Sequence, residues 1–144
     1  MLYVNDIFYS IQGESSYAGY PCKFIRLAGC NLKCSYCDTL ESLDIKNSKR
    51  LEIDEIIKLA ENSGNKKVKL AEITGGEPMI QDDTILLLDT LVKLNYTVLL
   101  ETNGTVSLEK VNDKVRKIID VKCPSSGFAE KFNFENLKYI YKND

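Results

Sequence analysis

At 144 residues, with 44% apolar and 28% charged side chains, the chain is sized for one globular domain with a real core, and disorder is excluded as its default. A net charge of -2 gives no electrostatic footprint for nucleic acid or an anionic membrane surface, so any anionic ligand must be held by local groups. The absence of histidine removes imidazole acid–base catalysis and mixed Cys/His zinc sites.

The amino terminus, Met1 to Tyr9, lacks a basic region and carries Asn5 and Asp6 where a signal peptide would be apolar. The most apolar stretch, Ile85 to Leu94, is interrupted by Asp89 and Lys93 and is too short to span a bilayer. The expected location is the cytoplasm. Five cysteines, an odd number, sit badly with a disulfide framework and point to metal or redox chemistry.

After Ile11-Gln12-Gly13-Glu14, a strand is predicted over Lys23 to Leu27, with Pro21 before it and Ala28-Gly29 ending it. Ile53, Ile56, Ile57 and Ala60 recur at helical spacing and predict a helix to Asn62, closed by Gly64. A strand over Val68 to Thr74 enters Gly75-Gly76-Glu77-Pro78. A helix follows over Asp82 to Leu94, with Leu88, Leu91 and Val92 on one face. A strand over Thr97 to Glu101 leads into Thr102-Asn103-Gly104, then a helical stretch runs over Leu108 to Val115. The last strand, Lys117 to Val121, runs into Lys122-Cys123-Pro124, and a helical segment over Phe134 to Tyr141 closes the chain.

This alternation predicts an α/β fold, a parallel sheet of about four β/α units joined by right-handed crossovers. Residues 1–144 read as one domain. The unusual segments Cys30–Thr39, Gly75–Pro78, Glu101–Gly104 and Lys122–Gly127 all follow strand ends, the edge where such sheets bind ligands.

Cys30-Asn31-Leu32-Lys33-Cys34-Ser35-Tyr36-Cys37 is a C-x3-C-x2-C run. Three thiolates on one loop suit three corners of an iron–sulfur cube and leave one iron open, as a catalytic site requires. The competing reading is a closed zinc or iron–sulfur module. Its fourth ligand would be Cys22, Cys123 or a carboxylate, and it would bind or pass electrons without catalysis. Cys22 is the awkward choice, at the far end of its strand, and reads as a small buried hydrophobe.

This loop, with Tyr36 before its last cysteine and Gly75-Gly76-Glu77-Pro78 after the next strand, resembles the radical S-adenosylmethionine (SAM) superfamily. Within it, Ser10-Ile11-Gln12-Gly13-Glu14, Phe24 to Leu32, Cys37-Asp38-Thr39, Glu101 to Thr105 and Lys122 to Ser126 resemble the 7-carboxy-7-deazaguanine synthase family. That resemblance implies a partial (β/α) barrel, a parallel sheet with helices on the outer face that is incomplete here at about four β/α units, and a lyase of queuosine and 7-deazapurine biosynthesis. It would convert 6-carboxy-5,6,7,8-tetrahydropterin to 7-carboxy-7-deazaguanine with loss of ammonia, through hydrogen abstraction from the ring carbon bearing the carboxylate.

The implied cofactors are a [4Fe–4S] cluster on Cys30, Cys34 and Cys37, SAM, and Mg²⁺ on the Thr39 hydroxyl. SAM would lie against Tyr36, Cys37, Asp38, Gly76, Glu101, Asn103, Asp120, Val121 and Lys122, and the substrate against Ile11, Gln12, Gly13, Arg26 and Thr74. No residue is expected to be catalytic in its own right, since cluster and SAM carry the chemistry. The expected partners are the pterin and an electron donor such as flavodoxin or ferredoxin, with a homodimer as candidate assembly and neither nucleic acid nor membrane.

Structural alternatives stand beside these roles. Arg26 could be an edge charge or a salt bridge, Thr39 a cap, and Glu101 and Lys122 a pair across strand ends. The family's chains are longer by two strand–helix units, so the resemblance marks this chain as a partial version. A smaller relative, the activating enzyme of a glycyl-radical partner such as anaerobic ribonucleotide reductase, is the alternative; it would lack the Ser10 to Glu14 segment.

Overall fold

The computed structural model describes residues 1–141 and 144. Six strands form one sheet: β1 (Leu2–Ile11), β2 (Pro21–Leu27), β3 (Lys49–Leu51), β4 (Leu70–Gly75), β5 (Thr97–Thr102) and β6 (Arg116–Ile119), in the order β3-β1-β2-β4-β5-β6. The four predicted strands are β2, β4, β5 and β6, and they pair in parallel. Two strands were not predicted. β1 pairs antiparallel with β2 and with the short β3, so the sheet is mixed.

The reason β1 escapes a period-two reading is a register shift between Val4 and Asp6. Before it, Leu2 and Val4 enter the main core; after it Ile7 does, while Phe8 packs on the opposite face. A bulge inserts one residue and reverses the alternation. Here it turns the far half of β1 so that Phe8 and Ser10 look into the pocket described below.

Two helices, α1 (Ile53–Asn62) and α2 (Thr84–Lys93), cover one face. α1 starts with a capping box between Glu52 and Glu55 and buries Ile56, Ile57 and Ala60, as its spacing predicts. The Lys23 Nζ, fully buried, donates to the Ala60 carbonyl at 2.8 Å and so caps the C-terminal end of α1 with a cation. α2 buries Leu87, Leu88 and Leu91, with Val92 packed beside them. Under these helices lie Ile25, Leu27, Ala71, Ile73, Val98 and Leu100, every second residue of β2, β4 and β5.

The helix expected over Leu108 to Val115 does not form. Leu108, Val111 and Val115 are buried at the spacing that suggested it, but the backbone makes separate turns, Val111 N–H to Leu108 C=O and Val115 N–H to Asn112 C=O. The Asn112 side chain accepts from the Lys114 N–H and donates to Asp89, an alternative to helical bonding that Asn readily offers. The closing segment is likewise a 3₁₀ turn, Phe134–Tyr139, anchored by Asn136, whose amide donates to the carbonyls of Gly104 and Val106 and accepts from the Leu108 N–H.

Candidate functional site

Neither α1 nor α2 packs on the other face of the sheet. Near the start of the parallel strands it is apolar: Cys22, Phe24, Leu70 and Leu99 form a second small core. Burial pushes the Cys22 thiol up to about 12, so this cysteine is an inert core residue, as the sequence suggested. Further along the strands the same face turns polar, with Arg26 on β2, Glu72 and then Thr74 on β4, and Glu101 on β5. The result is a pocket of about 510 Å³ at the carboxyl ends of the strands.

All but one of the residues assigned to the site by resemblance line this pocket. Ile11, Gln12, Gly13, Arg26 and Thr74 are there, with Cys30, Cys34, Tyr36, Cys37, Asp38, Thr39, Gly76, Glu101, Asn103, Asp120 and Lys122. Val121 is the exception. It is exposed and does not line the pocket, because the chain past β6 places Asp120 and Lys122 inward and the residue between them outward.

Three sets of contacts fix the cysteine loop. Its entry is held by Gly29 N–H to Ser42 C=O at 2.9 Å and Glu77 N–H to Gly29 C=O at 2.9 Å. Its middle is held by Asn31, which donates to the Thr105 hydroxyl at 2.7 Å and accepts from the Asn103 amide at 3.1 Å. Further on, the Ser35 hydroxyl donates to the Ser125 carbonyl at 2.7 Å. At Gly76 a Cβ would fall 2.3 Å from the Gly29 oxygen and 2.7 Å from the Cys30 Cβ, so the loop after β4 and the cysteine loop meet backbone to backbone only because no side chain intervenes.

The three loop cysteines are free thiols, each partly exposed. Cys30 is raised by burial, offset in part by the Leu32 N–H that donates to its sulfur. Among the described residues no three Cys, Asp or Glu side chains converge closely enough to grip one metal ion. All three thiols nevertheless line one pocket, as the ligands of a single iron–sulfur cluster must. Cys123 is exposed and lies outside the residues that line the pocket.

Glu77 has a role the sequence did not disclose. It is fully buried and accepts from the Met79 N–H at 2.9 Å, the Thr102 hydroxyl at 2.8 Å and the Asn103 N–H at 2.7 Å. Burial raises its carboxyl, and these donors pull the other way. The side chain thus binds the end of β4 to the end of β5 and aims Asn103 into the site. Asn103 in turn accepts from the Thr105 N–H at 3.0 Å.

The charged groups divide as follows. Arg26 lies over the Phe8 ring at 5.4 Å and reaches Glu41 at 3.5 Å, while its buried Nε has no partner among the described residues. A guanidinium on a pocket wall with one donor still unpaired suits a planar oxyanion. Glu101 accepts from the Thr74 hydroxyl at 2.6 Å, and Lys122 pairs with Asp120, so the alternative Glu101–Lys122 pair is not formed. Lys122 also lies over the Tyr36 ring at 5.8 Å; burial lowers its ammonium, but Asp120 outweighs this and raises it. Thr39 precedes a 3₁₀ turn without capping it, and its hydroxyl donates to Asp38 at 2.8 Å.

A second carboxylate missed in the sequence is Glu72, on the deep part of the pocket wall. The Gln12 amide donates to it, and Gln12 accepts from the Glu14 N–H at 3.1 Å. Burial, then the nearby Glu101, pushes the Glu72 carboxyl up to about 8. Its place in a strand whose next residue, Ile73, is core was the one available signal: a charged residue inside an apolar run.

Comparison with known proteins agrees with this geometry. A 7-carboxy-7-deazaguanine synthase of Koribacter versatilis is 42% identical over 142 residues, 98% of this chain and 61% of the relative. One of Chlorobaculum tepidum is 46% identical over 131 residues, 90% of this chain and 56% of the relative. The chain therefore spans roughly three fifths of the length of these curated relatives. The crystal structure of QueE from Escherichia coli superposes with a TM-score of 0.78 at 23% identity, covering 96% of this chain and 68% of that one, which shows a shared fold. The family model of the radical SAM superfamily matches residues 24–126, the span that holds the cysteine loop, the Gly75–Pro78 turn and the Asn103 turn. By fold, by that match and by the three thiols around one pocket, the chain belongs to the radical SAM superfamily, whose members bind a [4Fe–4S] cluster and SAM.

Proposed function

We propose that this chain is the core of a 7-carboxy-7-deazaguanine synthase, a lyase acting on 6-carboxy-5,6,7,8-tetrahydropterin with loss of ammonia. The observation that carries the reading is that the cysteine loop and the Ile11–Gly13, Arg26 and Thr74 group line the same pocket. The resemblance assigned these residues to separate tasks, cofactor and substrate, and the reaction requires the two to touch.

Cys30, Cys34 and Cys37 would hold the cluster, and SAM would sit against Tyr36, Asp38, the Gly76 backbone, Glu101, Asn103, Asp120 and Lys122. When bound, cluster and SAM would supply the radical chemistry of hydrogen-atom abstraction from the substrate. The protein's part is placement and exclusion of water. Arg26, with its unspent Nε, takes the substrate carboxylate; Thr74 holds Glu101 at the boundary between cofactor and substrate; Phe8 and Phe24 cover the ring. Thr39, on the pocket wall, would supply its hydroxyl to a Mg²⁺ ion otherwise held by substrate oxygens and water. One domain over residues 1–144, an electron donor such as flavodoxin or ferredoxin and a homodimeric assembly belong to the same proposal.

The test is anaerobic reconstitution with iron and sulfide, followed by reduction and addition of SAM with and without the pterin. Pterin-dependent 5′-deoxyadenosine together with 7-carboxy-7-deazaguanine is the expected result. SAM cleavage that ignores the pterin would refute the substrate while leaving the superfamily intact.

A further inference from the structure

Glu72 has no part in the chemistry described so far, and its setting is costly. The residue is 3% exposed, and among the described residues no ion pair reaches it. The charged groups that act on it, Glu101 from β5 and Glu14 from the segment after β1, are of its own sign. A fold that wanted only packing here would place an aliphatic residue, as it does at Ile73 and Leu99. A buried acid without a cation suits a site completed by a ligand's neutral N–H donors.

Its position says which end of the ligand. In the parallel pairing of β2 and β4, Phe24 stands beside Glu72 and Arg26 beside Thr74. Glu72 is therefore two residues deeper than the Arg26 level, about 7 Å along the strand. The space between is walled by Phe8 and Phe24, whose rings stack at 4.9 Å and 8° and line the pocket. A flat bicyclic ring with a carboxylate at one end, seated on Arg26, turns its opposite edge toward Glu72.

We infer that Glu72, oriented by the Gln12 amide, reads the 2-amino-4-oxopyrimidine edge of the substrate, its carboxylate accepting from the exocyclic amino group and the adjacent ring N–H. This rests on the pterin reading of the pocket. It makes Glu72 a specificity-determining residue. A carboxylate offers two acceptors, matching the two donors of a 2-amino compound, and it opposes a 2-oxo group in the same place. Gln12, with its amide committed to Glu72 and Glu14, serves as the positioning residue.

The experiment is a calorimetric titration of the reconstituted, SAM-bound protein with two stable ligands, 6-carboxypterin and its 2-oxo counterpart 6-carboxylumazine. The wild-type protein is expected to bind the amino compound at least ~10-fold more tightly. Glu72→Gln replaces one acceptor by a donor and is expected to erase or invert that preference. Glu72→Asp, which withdraws the carboxylate by one methylene, is expected to keep the preference and weaken pterin binding by ~10-fold. An unchanged preference in Glu72→Gln, or undiminished pterin binding in Glu72→Asp, overturns the inference while the pterin reading stands. Equal wild-type affinity for the two ligands does the same. Failure of wild type to bind either ligand removes the pterin reading itself, and the inference with it.

Discussion

The two faces of the sheet are drawn from alternate residues of the same strands, yet they obey different rules. On the helix-covered face, Ile25, Leu27, Ile73, Val98 and Leu100 are buried aliphatics that lock α1 and α2 in place. On the open face, residues one step away, Phe24, Arg26, Glu72, Thr74 and Glu101, form a wall that grades from apolar to charged toward the cysteine loop. The first face is specified by volume and hydrophobicity, which many sequences satisfy. The second holds an unspent arginine nitrogen and a carboxyl without a cation, features that stability alone would remove.

Substitutions on the two faces should therefore fail differently. Cys34→Ala, on the open side, is expected to abolish the cluster's visible absorption after reconstitution while leaving the unfolding transition of the metal-free protein within about 0.5 kcal/mol of wild type. A large drop in metal-free stability would mean that the loop is part of the core. Leu100→Ala, on the covered side, is expected to cost about 3 kcal/mol in urea denaturation, because the fully buried site cannot collapse around the missing atoms.

Glu77 is where the comparison should blur. Its buried carboxylate holds the site residue Asn103 and also ties two strands together. Glu77→Ala is expected to lose about 2 kcal/mol by leaving the Thr102 and Asn103 donors without a partner, and to weaken SAM binding as Asn103 loses its aim. Normal stability with weakened SAM binding would place Glu77 wholly with the open face.

The effect that takes the finest measurement to isolate is a pH dependence. In the ligand-free protein, burial and the nearby Glu101 push the Glu72 carboxyl up to about 8, above the 4.5 of a free side chain, so the folded protein holds the extra proton until a ligand's N–H donors favour the carboxylate. Its stabilising effect is fully present below pH ~4.5 and is lost as pH rises toward and through ~8. Glu72→Gln, which cannot ionise, is expected to flatten that decline, most visibly when melting temperatures at pH 6 and pH 9 are compared. An identical pH profile in the variant would mean that another group carries the slope.

Much of this was legible in advance for a physical reason. The parallel strands announced themselves as short segments rich in apolar residues that run into unusual loops, and α1 through a stripe at helical spacing. The cysteine loop was readable because C-x3-C-x2-C leaves little other use for three thiols in one turn. The elements that were misread share a different property: their state depends on neighbours. β1 looked like no strand because its bulge breaks the alternation, and Leu108 to Val115 looked like a helix because buried positions at helical spacing also arise from successive turns over a core.

Sequence by itself determined the chemistry on offer: three thiols, no imidazole, a glycine pair and the order in which they follow the strands. Only the tertiary structure decided which of them meet. Gly76 is needed because the Gly29 and Ser42 carbonyls lie where its side chain would go, contacts far apart in the chain. Val121 faces outward between two inward neighbours, and Glu72 sits cationless on the pocket wall with Gln12 folded over from β1. Local preference is written residue by residue, whereas burial and partnership arise between strands that touch only once the sheet has formed.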